Sequence, residues 1–364
     1  MPDIELNEES VSQALTRVMD PELGNDLVSL NMIKSTVIDN GKVDVTVELT
    51  TAGCPLKAKI EQDCVDSIKS ISSVKEVKIH FTSRPIPLRT EVQLPSVKKI
   101  IAISSGKGGV GKSTIAINIA RAFKEAGFEV GLLDADIYGP SQPRMMGLSG
   151  QRPTTRDGKS FEPPSSHGVK VMSIGFLIDE EQPMVWRGPM VTQALTQLLG
   201  ETRWETLDYL IVDMPPGTGD IQLTLAQRVP LSGAIVVTTP QEIALLDARK
   251  GLMMFRKVEV PVLGVVENMS VHVCPACGHE SHVFGAGGGE AMAARYQVPL
   301  LGELPLDLRI REQADAGIPT VIGDPDSAAA RAYMSVARKA AAQLALASIR
   351  GAGVFPKISV EDDE

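Results

Sequence analysis

The stretch KKIIAISSGKGGVGKSTIAINIARAFKEAG, residues 98–127, constrains this chain more than any other. An apolar run with strand character leads into a glycine-rich loop, and a helix-forming segment leaves it. The loop, Gly106 to Thr114, fits G-x-x-x-x-G-K-[ST] in the strand–loop–helix setting that this pattern requires. Glycines let successive backbone N–H groups turn inward around phosphates, and the N-terminus of the following helix adds partial positive charge. The spacing therefore predicts a nucleotide cradle made of Gly106, Lys107, Gly108, Gly109, Val110, Gly111, Lys112, Ser113 and Thr114. Lys112 is expected to reach the β- and γ-phosphates of ATP, and the Ser113 hydroxyl to ligate Mg²⁺.

Further strand candidates follow at 130–136, 169–176, 209–215, 233–240 and 262–269, with helical stretches at 112–126, 220–229 and 242–257. Most of these strands are unbroken apolar runs, as expected when both faces are buried. The βα alternation predicts an α/β fold with a doubly wound, mainly parallel sheet. A small α+β domain is expected ahead of it over residues 1–84, with helices at 7–19 and 55–71 and strands near 28–38, 42–50 and 74–81. The expected boundaries are a proline-bearing linker at 85–97, a P-loop domain at 98–350 and a solvated acidic tail at 351–364. An alanine-rich helix is expected at 326–349. No internal repeat is evident.

A phosphate site needs acidic partners for the cation and the attacking water. LLDAD supplies Asp134 and Asp136, and LIVDMPPGTGD supplies Asp213, each at the end of a strand where ligands gather in this architecture. Asp213 has the setting of a Walker-B aspartate. Aspartate is also a common cap and turn residue, the plainer reading for all three.

The segment VHVCPACGHESHVF, residues 271–284, holds Cys274 and Cys277. A CxxC suits half a zinc knuckle, a redox pair or a cargo site. Glycine and polar residues after the second cysteine favour a loop over the helix start typical of redox pairs. Two thiolates do not complete a tetrahedral site. His272, His279 and His282 could add ligands within one chain, or a two-fold dimer could bring a second pair and so the four thiolates of a [4Fe–4S] cluster. Cys54 precedes Pro55, which favours a helix N-terminus where a thiolate is stabilised, making it a possible accessory thiol. Cys64 falls on the stripe Leu56, Ile60, Cys64, Ile68 and reads as core.

Composition removes several function classes. Net charge is −9 and aromatics make up 4% of the 364 residues, which argues against nucleic-acid binding by phosphate contact or base stacking. No apolar run approaches the roughly 18 residues of a membrane span, and no signal peptide is evident at MPDIELNEES. Four cysteines make no disulfide framework, so reduced thiols and a cytoplasmic location are expected.

The loop GKGGVGKS resembles the deviant Walker A of the nitrogenase iron protein, MinD, ParA and the arsenite-pump ATPases. That resemblance implies that Lys107 reaches across a homodimer to the partner's nucleotide. With DADIYGPSQPRMMG, VWRGPM, DYLIVDMPPGTGD, VVENMS, CPACGH and GELPLDLRIREQADAGIP, residues 98–345 resemble the Mrp/ApbC iron–sulfur cluster carrier family. DPELG and TTAGCPLK resemble a MIP18-type domain, in which Cys54 matches the reactive position. The family likeness implies that Asp136 orients the attacking water, that Asp213 and its Pro-Pro-Gly loop sense the γ-phosphate and Mg²⁺, and that Asn268 recognises adenine. Asn268 is otherwise simply a strand-end turn residue. The likeness implies an ATP-hydrolysing carrier with a cluster bridging two subunits, passing it between assembly scaffolds and acceptor apoproteins. The alternatives are a MinD/ParA-like positioning ATPase, disfavoured by the acidic end ISVEDDE, and a P-loop scaffold holding zinc.

Overall fold

The computed structural model describes residues 6–19, 26–29, 32–39, 41–49, 57–71, 73–83, 92–178 and 188–351. The DPELG turn, Cys54, residues 84–91 of the proline-bearing connection and the tail from 352 fall outside them. The chain divides into two compact units, 1–89 and 90–364.

The first unit contains α1 (Glu8–Leu15), β1 (Ile33–Asp39), β2 (Lys42–Leu49), α2 (Lys57–Lys69) and β3 (Glu76–Ser83). Asn7 caps α1 by accepting the Ser10 N–H at 2.8 Å, and Glu8 and Glu9 favour the positive end of the helix. β1 and β2 pair antiparallel around a turn at Gly41, where φ is +87°. β2 and β3 are parallel, so α2 makes the crossover between them. Val43, Val45 and Val47 alternate inward along β2 and meet Val11, Leu15, Ile60, Cys64 and Ile68 in one core. Burial pushes the Cys64 thiol up to about 12, so this cysteine is an inert packing group.

The second unit opens with β4 (Val97–Ser105), α3 (Lys112–Glu125), β5 (Val130–Asp134) and α4 (Gln142–Met145). Next come β6 (Ser165–Ser166), β7 (Val169–Ser173), α5 (Gly188–Glu201), β8 (Leu207–Asp213), α6 (Asp220–Arg228), β9 (Gly233–Thr238), α7 (Glu242–Lys257) and β10 (Val262–Glu267). It ends with β11 (His272–Val273), β12 (Glu280–Ser281), α8 (Gly288–Tyr296), β13 (Leu300–Glu303), α9 (Leu308–Asp315), α10 (Thr320–Gly323) and α11 (Ala328–Gly351). The main sheet runs β13-β10-β9-β4-β8-β5-β7-β6, and only the β6–β7 pair is antiparallel. This is the expected α/β architecture. β5 and β9 are buried at every residue, which is why they read as unbroken apolar runs. Among the described residues, no helix is long and apolar enough to cross a membrane.

Five of the strands stop two or three residues short of the sequence expectation. β5 ends at Asp134, β7 at Ser173, β8 at Asp213, β9 at Thr238 and β10 at Glu267. The reason is local at β5. Beyond Asp134, the Ala135 N–H turns to the Asp213 carbonyl at 2.9 Å, and the Asp136 N–H turns to the Asp134 carboxylate at 3.2 Å. The chain leaves the ladder to build a site. Short β6 and β13 and helices α5, α8, α9 and α10 carry no comparable sequence signal.

Candidate functional site

The P-loop lies at the C-terminal end of β4, between the ends of β8 and β9. Its glycines divide by role. A Cβ on Gly106 would stand 2.2 Å from the backbone of Asp247 on α7. Gly111, at φ +83°, would bring one to 2.2 Å from Asn268 Nδ2. Gly108 and Gly109 face nothing within 4 Å, leaving open space where the pattern places phosphates. Gly111 caps α3 without any side-chain acceptor, so the first-turn N–H groups are available to an anion. A cavity of about 720 Å³ opens here, lined by Gly108, Gly109, Val110, Thr239, Met269 and Phe284 among others. A larger cleft of about 1180 Å³ lies between α5 and α6, and none of the P-loop residues line it.

Lys112, Asp134, Asp136 and Asp213 come together behind the loop. The register places Asp134 directly beside Asp213 on neighbouring strands. Lys112 Nζ donates to Asp213 Oδ1 at 2.5 Å and lies 3.8 Å from Asp136 Oδ2. Its contact with Ser113 Oγ is 3.3 Å. Asp134 Oδ2 accepts from the N–H groups of Ser141 and Gln142 and from the Ser173 hydroxyl. Burial, and then the neighbouring Asp213 charge, push Asp134 up to about 7. Burial also raises Asp136, with Lys112 opposing it.

Three other expected positions have partners that the sequence does not announce. Lys107 Nζ lies 3.7 Å from Asp247 Oδ2 of its own chain. Asn268 donates its side-chain amide to the Val110 carbonyl at 2.9 Å, so it braces the P-loop. The Thr114 carbonyl accepts the Asn118 amide within α3. The structure also supplies residues that sequence reasoning missed. Gln142 donates to Asp213 Oδ2 at 2.7 Å, and Gln222 donates to the Pro216 carbonyl, holding the Pro-Pro-Gly loop. Glu267, next to Asn268, accepts the Gly289 N–H at the start of α8, and burial raises its carboxyl above the usual range. Proline after Gln142 and glycines before α8 hint at turns, but no local pattern points these side chains inward.

The donor set fits Mg²⁺. Ser113 Oγ and Asp213 Oδ1 are hard oxygens of the kind this cation selects. Ser141 Oγ and Gln142 Oε1 are buried without a partner, as acceptors for the waters of a hydrated ion would be.

The cysteines occupy a hairpin. β11 and β12 pair antiparallel, the Cys274 N–H donates to the His279 carbonyl, and Gly278 turns the chain at φ +71°. Cys277 is exposed and Cys274 half-buried. The N–H groups of Ala276 and then Cys277, with the Cys277 thiol, hold the Cys274 thiol below its usual range, favouring thiolate. His272 and His282 spend Nδ1 on the carbonyls of Leu306 and Ser270, at 3.0 and 2.8 Å. Among the described residues, no group of three His, Cys, Asp or Glu side chains is arranged to hold a metal. Phe284, just after the hairpin, lines the cavity beside the P-loop.

Asp134 sets a pH dependence. Its folded pKa is raised above 3.8, so the folded chain binds more protons in between. The contribution to stability is complete below about pH 4 and is lost as pH rises through about 7. In EDTA without nucleotide, Asp134→Asn should flatten the pH dependence of the unfolding midpoint between about pH 4 and 7; an unchanged slope would contradict this assignment.

The comparisons agree with the geometry. Residues 96–341 match a family model described as NUBPL iron-transfer P-loop NTPase, and residues 8–80 match one described as iron-sulfur cluster assembly protein. An iron-sulfur cluster carrier protein of Synechocystis sp. is 48% identical over 353 residues, covering 94% of this chain and 99% of that protein. One from Pseudomonas fragi is 57% identical over 275 residues, covering 74% and 96%. A nucleotide-binding protein of Archaeoglobus fulgidus, solved with ADP, is 38% identical at TM-score 0.55, covering 61% of this chain and 87% of that one. The resemblance carried by the P-loop, strand-end and cysteine motifs is thereby borne out: this chain belongs to the iron-transfer P-loop NTPase family of iron–sulfur cluster carriers, with an iron–sulfur assembly domain at its N-terminal side.

Proposed function

We propose that this chain is a homodimeric, ATP-hydrolysing iron–sulfur carrier that holds a [4Fe–4S] cluster between the Cys274/Cys277 pairs of two subunits. The observation that carries this reading is the exposed hairpin. It presents two thiols, one favoured as thiolate, with no third ligand gathered around them among the described residues. A second copy would supply the missing two thiolates. Exposed Val273 and Val283 beside the thiols, and Ile243 on the rim of the P-loop cavity, suit burial against that copy. A zinc site completed by the chain's own histidines has less support, because among the described residues no histidine is gathered with both thiols into a group able to hold a metal.

In the nucleotide step, the P-loop N–H groups and the α3 N-terminus bind the phosphates, and Lys112 exchanges its carboxylate partners for them. Ser113 and Asp213 would hold Mg²⁺, which when bound would supply positive charge to offset that of the phosphates. Asp136 orients the water that attacks the γ-phosphorus, and the bond to the β-phosphate oxygen breaks to give ADP and phosphate. Lys107 leaves Asp247 to reach the partner's nucleotide, so hydrolysis and dimer state are linked. Adenine recognition is assigned to Asn268, whose side-chain amide also braces the P-loop at the Val110 carbonyl. ATP drives cluster release only through a difference in affinity for the two dimer states. Acceptor apoproteins and assembly scaffolds in the cytoplasm are the expected partners, with Cys54 a second thiol for the handover.

After anaerobic reconstitution, Cys274→Ala/Cys277→Ala protein should retain almost no iron or sulfide, while His279→Ala should match the unmodified chain. Full cluster content in the double variant would refute the site. Lys112→Ala should lower ATP turnover at least about 100-fold, and unchanged turnover in a steady-state phosphate-release assay would refute the nucleotide site.

A further inference from the structure

Gln142 is fully buried, although glutamine is mostly a surface residue. It opens α4, where Pro143 at the first turn fixes the entry of the helix. Its side-chain nitrogen donates to Asp213 Oδ2 at 2.7 Å and to the Ser113 carbonyl at 3.2 Å. Both amide hydrogens are then used. One side chain thus ties the segment after Asp134 to the P-loop helix and to the end of β8. Its remaining atom, Oε1, is buried without a donor, and so is Oγ of the adjacent Ser141. A buried acceptor left unpaired is costly, and an apolar side chain of the same size would avoid that cost.

The two oxygens of Asp213 have different partners. Oδ1 faces Lys112 and Oδ2 faces Gln142. When the lysine turns to phosphate, Oδ1 is freed while Oδ2 stays held, so the carboxylate keeps its orientation. The orphaned Oε1 lies on the same amide and needs a donor. We infer that Gln142 is a positioning residue for the divalent cation: it fixes the Asp213 carboxylate through Oδ2 and accepts a hydrogen bond from a water of the hydrated ion. It contributes to the cation-dependent part of nucleotide affinity and not to the phosphate cradle itself. This rests on the nucleotide reading proposed above.

The test is ADP binding by titration calorimetry, in EDTA and in saturating Mg²⁺, for the unmodified chain and for Gln142→Met, which has similar volume and no amide. The variant should keep its affinity in EDTA within about twofold and lose about tenfold of the gain that Mg²⁺ gives, the scale expected for an outer-sphere partner. An undiminished Mg²⁺ gain, or an equal loss in both buffers, would overturn the inference; the second result marks a purely structural role. No ADP binding by the unmodified chain in either buffer would instead sink the nucleotide reading, and the inference with it. Gln142→Leu carries the same test if Gln142→Met shows no cooperative thermal transition.

Discussion

The ion pair between Lys112 and Asp213 is the contact on which the second unit's chemistry depends. Both groups are buried, and they meet at 2.5 Å where the P-loop helix begins and β8 ends. Burying two charges costs several kcal/mol per ion, and their attraction seldom leaves a surplus, so such a pair is weak evidence for stability. It is better understood as a site holding its own counter-ions in place. On the nucleotide reading proposed above, the lysine has carboxylate oxygens in place of phosphate oxygens, and the aspartate has an ammonium in place of a divalent cation. Ligand binding then exchanges one set of charge partners for another, with little net creation of buried charge. Asp134, raised by burial and by Asp213, accepts backbone and hydroxyl donors that fix the loop leading to Gln142.

The route from this centre to the cysteines is short in sequence and contiguous in structure. Asn268 braces the P-loop at Val110, while Glu267 beside it holds the N–H at the start of α8, just beyond the cysteine hairpin. Ser270 accepts His282 within the hairpin's own neck. The end of β10 therefore touches both the loop expected to bind phosphate and the chain segments that frame the thiols. Such contact makes coupling physically available. Its size, typically about 1–3 kcal/mol between linked sites, depends on how differently the two dimer states treat nucleotide.

Much of this was legible in the sequence because the signals are local. The P-loop pattern specifies a strand, a tight loop and a helix within thirty residues. Unbroken apolar runs such as GAIVV mark strands covered on both faces, and aspartates at their ends mark the ligand edge. CPACG announces a turn with two thiols. The parts that escaped depend on distance along the chain. Gln142 finds Asp213 across 71 positions, Asn268 finds Val110 across 158, and neither side chain's direction is written in its neighbours. Lys107 is the reverse case: its extra charge is conspicuous, while its pairing with Asp247 requires α7 to pack closely against Gly106. The strand ends depend on distance in the same way: beyond Asp134 the Ala135 N–H leaves the ladder for the Asp213 carbonyl, a partner that the local pattern does not announce.

In the proposed carrier, a nucleotide-responsive dimer and not a single chain holds the cluster. The most direct measurement is iron and acid-labile sulfide content per pair of chains, determined anaerobically on the size-separated dimer with and without Mg-ATP. The account predicts about four irons and four sulfides per two chains, in the dimer alone, with retention that changes when ATP is bound. A full cluster complement on the monomer, or a content indifferent to nucleotide, would contradict it.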